Sequence, residues 1–261
     1  MRKIDLHMHT CFCDGKDTPE EMVLAAIEKG MEAIGICVHS HTPCDESYCG
    51  SPEGIRKFLR DMNCLKKNYG DRIQVLAGLE QDLYSDTDPE GFDYIIGSVH
   101  YIKSHDRFYP IDESEETFVS LAMEQFDGDY YKLAEAYYEE EASVLEVTKA
   151  DFVGHLDLLT KFNEGGHLFD ENNPRYLSAA VKCVDKLILH QKPFEINTGA
   201  MARGYRSTPY PSKALRELIR QKGGSFLLNS DAHGKENLLF AFERYGDETE
   251  DAAYDRILQK S

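Results

Sequence analysis

The chain has 261 residues, 41% of them hydrophobic and 29% charged, which fits one large α/β domain able to bury a substantial core. A formal net charge of -18 excludes a broad nucleic-acid or membrane-binding surface, which needs a basic patch, but leaves room for a small basic pocket in an acidic shell. Seven cysteines without a Cys-x-x-Cys pair exclude a disulfide framework and a zinc ribbon. With no signal-peptide pattern and no apolar run of membrane-span length, the expectation is a cytoplasmic protein with reduced thiols and no membrane partner.

In chain order, β-rich apolar runs fall at Lys3–His7, Ala33–Val38, Ile73–Ala77, Tyr94–Val99, Phe152–His155, Phe194–Asn197 and Ser225–Asn229. In the first run the period of two places Asp5, His7 and His9 on one face and Leu6 and Met8 on the other. Helical periodicity fills most of the intervals. Thr18, Pro19 and Glu21 form a capping-box start for a helix ending near Lys29-Gly30. Ser51 or Pro52 opens a second helix, ending near Tyr69-Gly70. Further helices are predicted over Glu115–Gln125, Asp129–Lys149, Pro174–Gln191, Pro211–Lys222, Glu236–Tyr245 and Asp251–Lys260. The acidic stretch "QDLYSDTDPEG" between the third and fourth strands is too short for a helix, so an irregular barrel is predicted. No Gly-rich phosphate fingerprint follows the first strand, which favours a distorted, TIM-like (β/α)7 barrel over a dinucleotide-binding sheet. No repeat or linker divides the chain, so residues 1–261 are read as a single domain.

Metal-capable residues recur at the carboxyl ends of these strands. They are His7 and His9, with Asp14 in the following loop; His39 and His41; Glu80; His100; His155 and Asp157; Glu195 and Asn197; and Asp231 and His233. Seven of the ten histidines lie there, and His105, His167 and His190 do not. Barrel strands open their carboxyl ends onto one face, so the set converges on one site. These are too many ligands for one tetrahedral ion and suit two or three divalent metals, with Glu80 as a bridge. The mixture of imidazole and carboxylate suits zinc, manganese or iron rather than calcium. Asp5 is the expected partner that orients a histidine ring.

The stretches "DLHMHT…DG", "HSHTP", "GLE", "GSVH", "GHLD" and "NSDAH", in this order across almost the whole chain, resemble the PHP (polymerase and histidinol phosphatase) family of metal-dependent phosphoesterases. The resemblance implies a distorted (β/α)7 barrel with a trinuclear metal site held by His7, His9, Asp14, His41, Glu80, His100, His155, Asp231 and His233. His41, just before Thr-Pro, takes the ligand's place, and His39 is read as a core or supporting residue. Asp14 stands where many relatives carry histidine.

Within the family the chain is most similar to stand-alone histidinol-phosphate phosphatases, through its length, the insert after "GSVHYI", "VGHLDLLTKF" and "EINTGAMARGYRSTPYPS". This implies a phosphomonoesterase of histidine biosynthesis that hydrolyses L-histidinol phosphate. A metal lowers the pKa of bound water from about 15.7 to about 7 and so supplies hydroxide at neutral pH. Asp231 and His233 are the candidate acids for the leaving alkoxide. Arg203 and Arg206, and beyond them Lys161, are the candidate phosphate binders, because guanidinium forks match phosphate oxygens. Tyr101 is the candidate contact for the cationic end of the substrate. The rival readings are a PHP phosphoesterase acting on nucleotides or short oligonucleotides, a non-catalytic metal-binding protein, and an amidohydrolase-like deacylase. The last would want a bridging lysine at a strand end, and no strand here ends in one.

Overall fold

The architecture is given by a computed structural model, which describes residues 2–260. The strands are β1 (Ile4–Asp5), β2 (Ala33–His39), β3 (Gln74–Asp82), β4 (Tyr94–Ser98), β5 (Tyr101–Ser104), β6 (Arg107–Pro110), β7 (Phe152–Val153), β8 (Phe194–Asn197) and β9 (Phe226–Asn229). The helices are α1 (Pro19–Glu28), α2 (Pro52–Tyr69), α3 (Glu115–Gln125), α4 (Tyr130–Glu141), α5 (Val144–Thr148), α6 (Pro174–Leu187), α7 (Gly199–Ala202), α8 (Lys213–Gln221), α9 (Phe242–Tyr245) and α10 (Asp251–Leu258). Seven parallel strands form one sheet in the order β1-β2-β3-β4-β7-β8-β9. Its edges meet where Met8 bridges Ala232 in parallel and the His9 amide donates to the Ala232 carbonyl at 2.8 Å. The result is the nearly closed, distorted (β/α)7 barrel predicted from the sequence. Among the described residues no helix is long and apolar enough to cross a membrane, and all seven cysteines are unpaired.

Alternate residues of each strand enter two different apolar clusters. Ile34, Ile36 and Val38 pack outward against α1 and α2, whereas Ala33 and Cys37 point inward with Ile4, Leu6, Leu76, Tyr94, Ile96, Phe152 and Leu227. Ala253, Tyr254 and Ile257 of α10 join this inner cluster and plug one end of the barrel. The interior thus begins apolar and, two residues at a time, becomes polar toward the strands' carboxyl ends. From Cys37 the inward position passes to His39, from Gly78 to Glu80 and Asp82, and from Ile96 to Ser98.

Several boundaries differ from the sequence reading. The first strand stops at Asp5, so strict alternation ends there: Leu6 joins the inner cluster and Met8 the outer one. The helix predicted over Asp129–Lys149 is broken after Glu141, where the Ser143 hydroxyl donates to the Glu140 carbonyl at 2.7 Å and competes with the helical ladder. The helix predicted from Pro211 begins at Lys213, because Tyr210 is bridged to Asn197 and the Ser212 amide is held by Asp157. In place of the helix predicted over Glu236–Tyr245 there is a short 3-10 turn and then α9, with Leu239 and Ala241 at positive φ between them. The β5–β6 hairpin lies in the insert after His100 and was not predicted.

The Tyr94 hydroxyl crosses the barrel floor, donating to the Leu6 carbonyl at 2.6 Å beside Cys37 Sγ at 3.2 Å. It has room only because Gly35 and Gly78 lack side chains. A Cβ at Gly78 would overlap the hydroxyl and come within 2.6 Å of Cys37 Sγ. Gly78→Ala is therefore expected to lower the free energy of unfolding by about 1–3 kcal/mol through overpacking, read as a fall in the urea midpoint. An unchanged midpoint would show that the floor can absorb the methyl group.

Candidate metal centre and active-site cleft

The inward residues at the carboxyl ends of the strands converge on the Glu80 carboxylate. His39 lies in register with Glu80 on the neighbouring strand, and its Nδ1 is 2.8 Å from Oε2. On the same oxygen converge His7 Nε2 (3.2 Å) and His9 Nε2 (3.1 Å). The other oxygen, Oε1, faces His155 Nε2 (2.9 Å) and His100 Nε2 (3.4 Å), and accepts from the Ser98 hydroxyl at 2.9 Å. Five imidazoles therefore share one carboxylate. Asp231 Oδ1 lies 3.7, 3.5 and 3.6 Å from ring nitrogens of His7, His9 and His233. Asp14 spans His39 Nε2 (3.5 Å) and His233 Nε2 (3.1 Å).

The residues fit a cluster of divalent ions. His7 Nε2, His9 Nε2 and Glu80 Oε2 are fully buried and close to one another, yet none makes a hydrogen bond. Buried polar atoms are rarely left so; here their lone pairs are aimed into shared space. The ligand atoms of His7, His9 and Glu80 lie within 4.8 Å of one another, as do those of His39, Glu80 and His100, and those of His9, His39 and His233. Nitrogen and carboxylate donors of this kind suit borderline divalent metals.

The electrostatics agree. Burial alone would lower the basicity of His7, but Glu195, Glu80 and Asp231 outweigh it and hold its pKa well above the usual imidazole value. Burial opposes charge on His39 as well, yet Glu80 and Asp14 lift it to about 9. His9 is pushed down to about 3 by burial and by neighbouring His39 and His233. Burial disfavours the charged forms of Glu80 and Asp231, but both are held well below the usual carboxylate range, Glu80 by His39, His7 and His100 and Asp231 by Arg203 and His7. The centre favours positive charge between ionised carboxylates.

Supporting residues fix the rings. Glu195 Oε1 accepts from His7 Nδ1 at 2.7 Å, which aims Nε2 at the centre, where an ion would take the place of its proton. The same carboxylate is held by Asn197, Asn229 and the His155 amide. Asp82 accepts from the His100 amide (2.9 Å) and approaches its Nδ1 (3.3 Å). Asp5, expected to orient a histidine, instead accepts from the Ser230 amide (3.0 Å) and hydroxyl (2.5 Å). It thereby secures the turn in which Asp231 adopts a left-handed backbone with φ 48°.

Two expected assignments are corrected by the geometry. His41 is outside the cluster, with Nδ1 2.8 Å from Asp86 and Nε2 3.0 Å from Glu46. β2 ends at His39, and from Ser40 the chain turns away, so only His39 shares the inward position with Glu80. Arg206 is also remote from the cleft. It is buried and donates to the Thr160 carbonyl (2.6 Å) and to Glu171 (3.1 Å), locking the loop after β8 to the segment after β7.

A cleft of 280 Å³ opens over the centre, lined by Asp14, His39, Glu80, His100, His155, Asp231 and His233 and, farther out, by Tyr101, Lys161 and Arg203. Arg203 Nη2 donates to Asp231 Oδ2 at 3.1 Å and Nη1 to His233 Nδ1 at 2.8 Å. Lys161 Nζ donates to the carbonyl (2.6 Å) and carboxylate (3.1 Å) of Asp112. The Tyr101 hydroxyl donates to Asp45 at 2.9 Å. The sequence reading gave no role to Asp82, Asp112 or Asp45, and counted Glu195 only among the metal-capable strand-end residues. Glu195 and Asp82 had a visible signal, since each lies two residues from a predicted strand-end position or at one.

A barrel with a multi-imidazole centre at its carboxyl face, roofed by basic side chains, defines a metal-dependent hydrolase site. Residues 5–199 match the PHP domain family, and the chain belongs to that family. It is 25% identical over 268 residues to the histidinol-phosphatase of Bacillus subtilis strain 168, covering 94% of this chain and 98% of that protein. Among solved structures it resembles one from Listeria monocytogenes assigned provisionally as a histidinol phosphatase, with a TM-score of 0.79 and 22% identity over 93% of this chain and all of that one. It also resembles the histidinol phosphate phosphatase of Lactococcus lactis, solved with zinc, L-histidinol and phosphate. There the TM-score is 0.66 and the identity 18%, over 99% of this chain and 93% of that one.

The exchange of His39 for His41 is directly testable. After zinc loading and dialysis, His39→Ala is expected to lose at least one equivalent of bound metal and His41→Ala to keep the wild-type content, both read by atomic absorption. The opposite pattern would restore His41 as the ligand.

Proposed function

We propose that the chain hydrolyses L-histidinol phosphate to L-histidinol and inorganic phosphate at a centre of two or three zinc, manganese or iron ions. The observation that carries this reading is the set of buried, unpartnered donors around Glu80 with Arg203 at its rim. Near-full-length similarity to named histidinol-phosphatases supports the substrate. The ions would be held by His7, His9, Asp14, His39, Glu80, His100, His155, Asp231 and His233. When bound, divalent ions supply Lewis acidity toward phosphoryl oxygens and activate water for attack.

The chain's own residues do the rest. The contacts of Arg203 to Asp231 and His233 leave guanidinium donors free for phosphoryl oxygens, whose charge is greatest in the transition state. Lys161, steadied by Asp112, adds a second cation on the cleft wall. Arg203 meets His233 at Nδ1, which aims Nε2 at Asp14 and the centre. Of the two candidate acids, Asp231 is kept ionised by Arg203 and His7, which leaves His233 as the candidate to protonate the leaving alkoxide, in a state where its Nε2 would not be binding an ion. A nucleotide substrate is disfavoured by the carboxylates Asp45, Asp112 and Glu113 along the cleft.

The test is a comparison of histidinol phosphate with nucleoside monophosphates and phosphodiesters after metal reconstitution. Histidinol phosphate is expected to give the highest kcat/KM, and a higher value for any nucleotide would overturn the assignment. Arg203→Ala is expected to lower kcat/KM by about a hundredfold. Arg206→Ala is instead expected to lower the unfolding free energy by about 3 kcal/mol by stranding Glu171, as measured by chemical denaturation. Equal kinetic losses in the two variants would contradict this division of roles.

A further inference from the structure

We propose that the cleft has a separate cation end, in which Asp45 and Glu113, with the Tyr48–Tyr101 aromatic wall, hold the ammonium and imidazole of the substrate. The proposal rests on the reading of the chain as a histidinol phosphatase and assigns the residues that select the amine-bearing ester.

The cleft's charges are unevenly paired. Lys161 is paired with Asp112, and Arg203 lies between Asp231 and His233. Asp45 and Glu113 also line the cleft, but among the described residues neither has a cationic partner. Asp45 accepts only neutral donors, the Ser47 amide (2.9 Å) and the Tyr101 hydroxyl (2.9 Å). Glu113 accepts from the Thr117 hydroxyl at 3.1 Å. These contacts orient the carboxylates and leave their negative charge uncompensated, which is what an organic cation requires.

The aromatic wall joins this end to the metal centre. The Tyr48 ring is 5.0 Å from His39 and 6.1 Å from His100, and 6.2 Å from the Tyr101 ring at a tilt of 33°. The wall therefore begins one ring away from the imidazole cluster. In histidinol phosphate the amine-bearing carbon is bonded directly to the carbon carrying the ester oxygen. With the phosphoryl group at the centre, the ammonium and imidazole have to lie close by, where tyrosine faces and carboxylates attract cations. Asp45 and Tyr48 come from the loop after β2, Tyr101 is the first residue of β5, and Glu113 lies just after β6. None belongs to the strand-end ligand set.

The experiment compares kcat/KM for histidinol phosphate with that for 3-(imidazol-4-yl)propyl phosphate, which lacks only the amine, using metal-loaded wild type, Asp45→Asn and Glu113→Gln. Wild type is expected to prefer the amine-bearing ester. Asp45→Asn is expected to reduce that preference about tenfold or more, mainly through KM for histidinol phosphate, and Glu113→Gln severalfold. If both variants keep the wild-type preference, the cation end is wrong while the substrate reading stands. If wild type shows no preference for histidinol phosphate over the analogue, the cation end is likewise wrong; if it shows none over nucleoside monophosphates, the substrate reading fails. Should Asp45→Asn not fold, the exposed Glu113→Gln carries the same comparison.

Discussion

The carboxylate of Glu80 is the constraint on which the upper half of the barrel depends. It is almost fully buried, and five imidazoles from four strands or strand ends approach its two oxygens. An isolated buried carboxylate among apolar neighbours would be neutralised by protonation. This one stays ionised because positive charge surrounds it. The arrangement is favourable only with protons or divalent cations among the rings, so folding and metal binding are coupled through one side chain.

That convergence is a product of sheet geometry. Parallel pairing in register sets His39 opposite Glu80, and the period of two lifts the inward positions from an apolar floor to a polar mouth within a few residues. The floor allows this because Tyr94 spans it over two glycines, drawing β1, β2 and β4 together beneath the ligands. Second-layer carboxylates then divide the work. Glu195 orients His7 and ties it to β8, Asp82 supports His100, and Asp5 holds the turn that presents Asp231.

Much of this was legible in the sequence, because strand-end histidines and carboxylates carry both a chemical type and a position. His7, His9, Glu80, His100, His155, Asp231 and His233 could be placed together from their recurrence at the ends of predicted strands. The choice between His39 and His41 could not, since it depends on where β2 ends, and that is set by pairing with β3. Arg203 and Arg206 look alike three residues apart, yet one turn of α7 leaves the first at the cleft and the second in a buried ion pair. The role of Asp5 was misread because its partner, Ser230, lies 225 residues away across the barrel closure. The β5–β6 hairpin was missed, and with it the position of Tyr101 and Glu113 on the cleft wall.

The central proposal is that Glu80 and the histidines gathered around it form one site for divalent ions. Anomalous diffraction at the zinc edge, from crystals of the zinc-loaded protein, tests it most directly. At least two peaks are expected astride the Glu80 carboxylate, one toward His7 and His9 and another toward His39 and His100. A map with no peak beside Glu80, or with density only at His41, would contradict it.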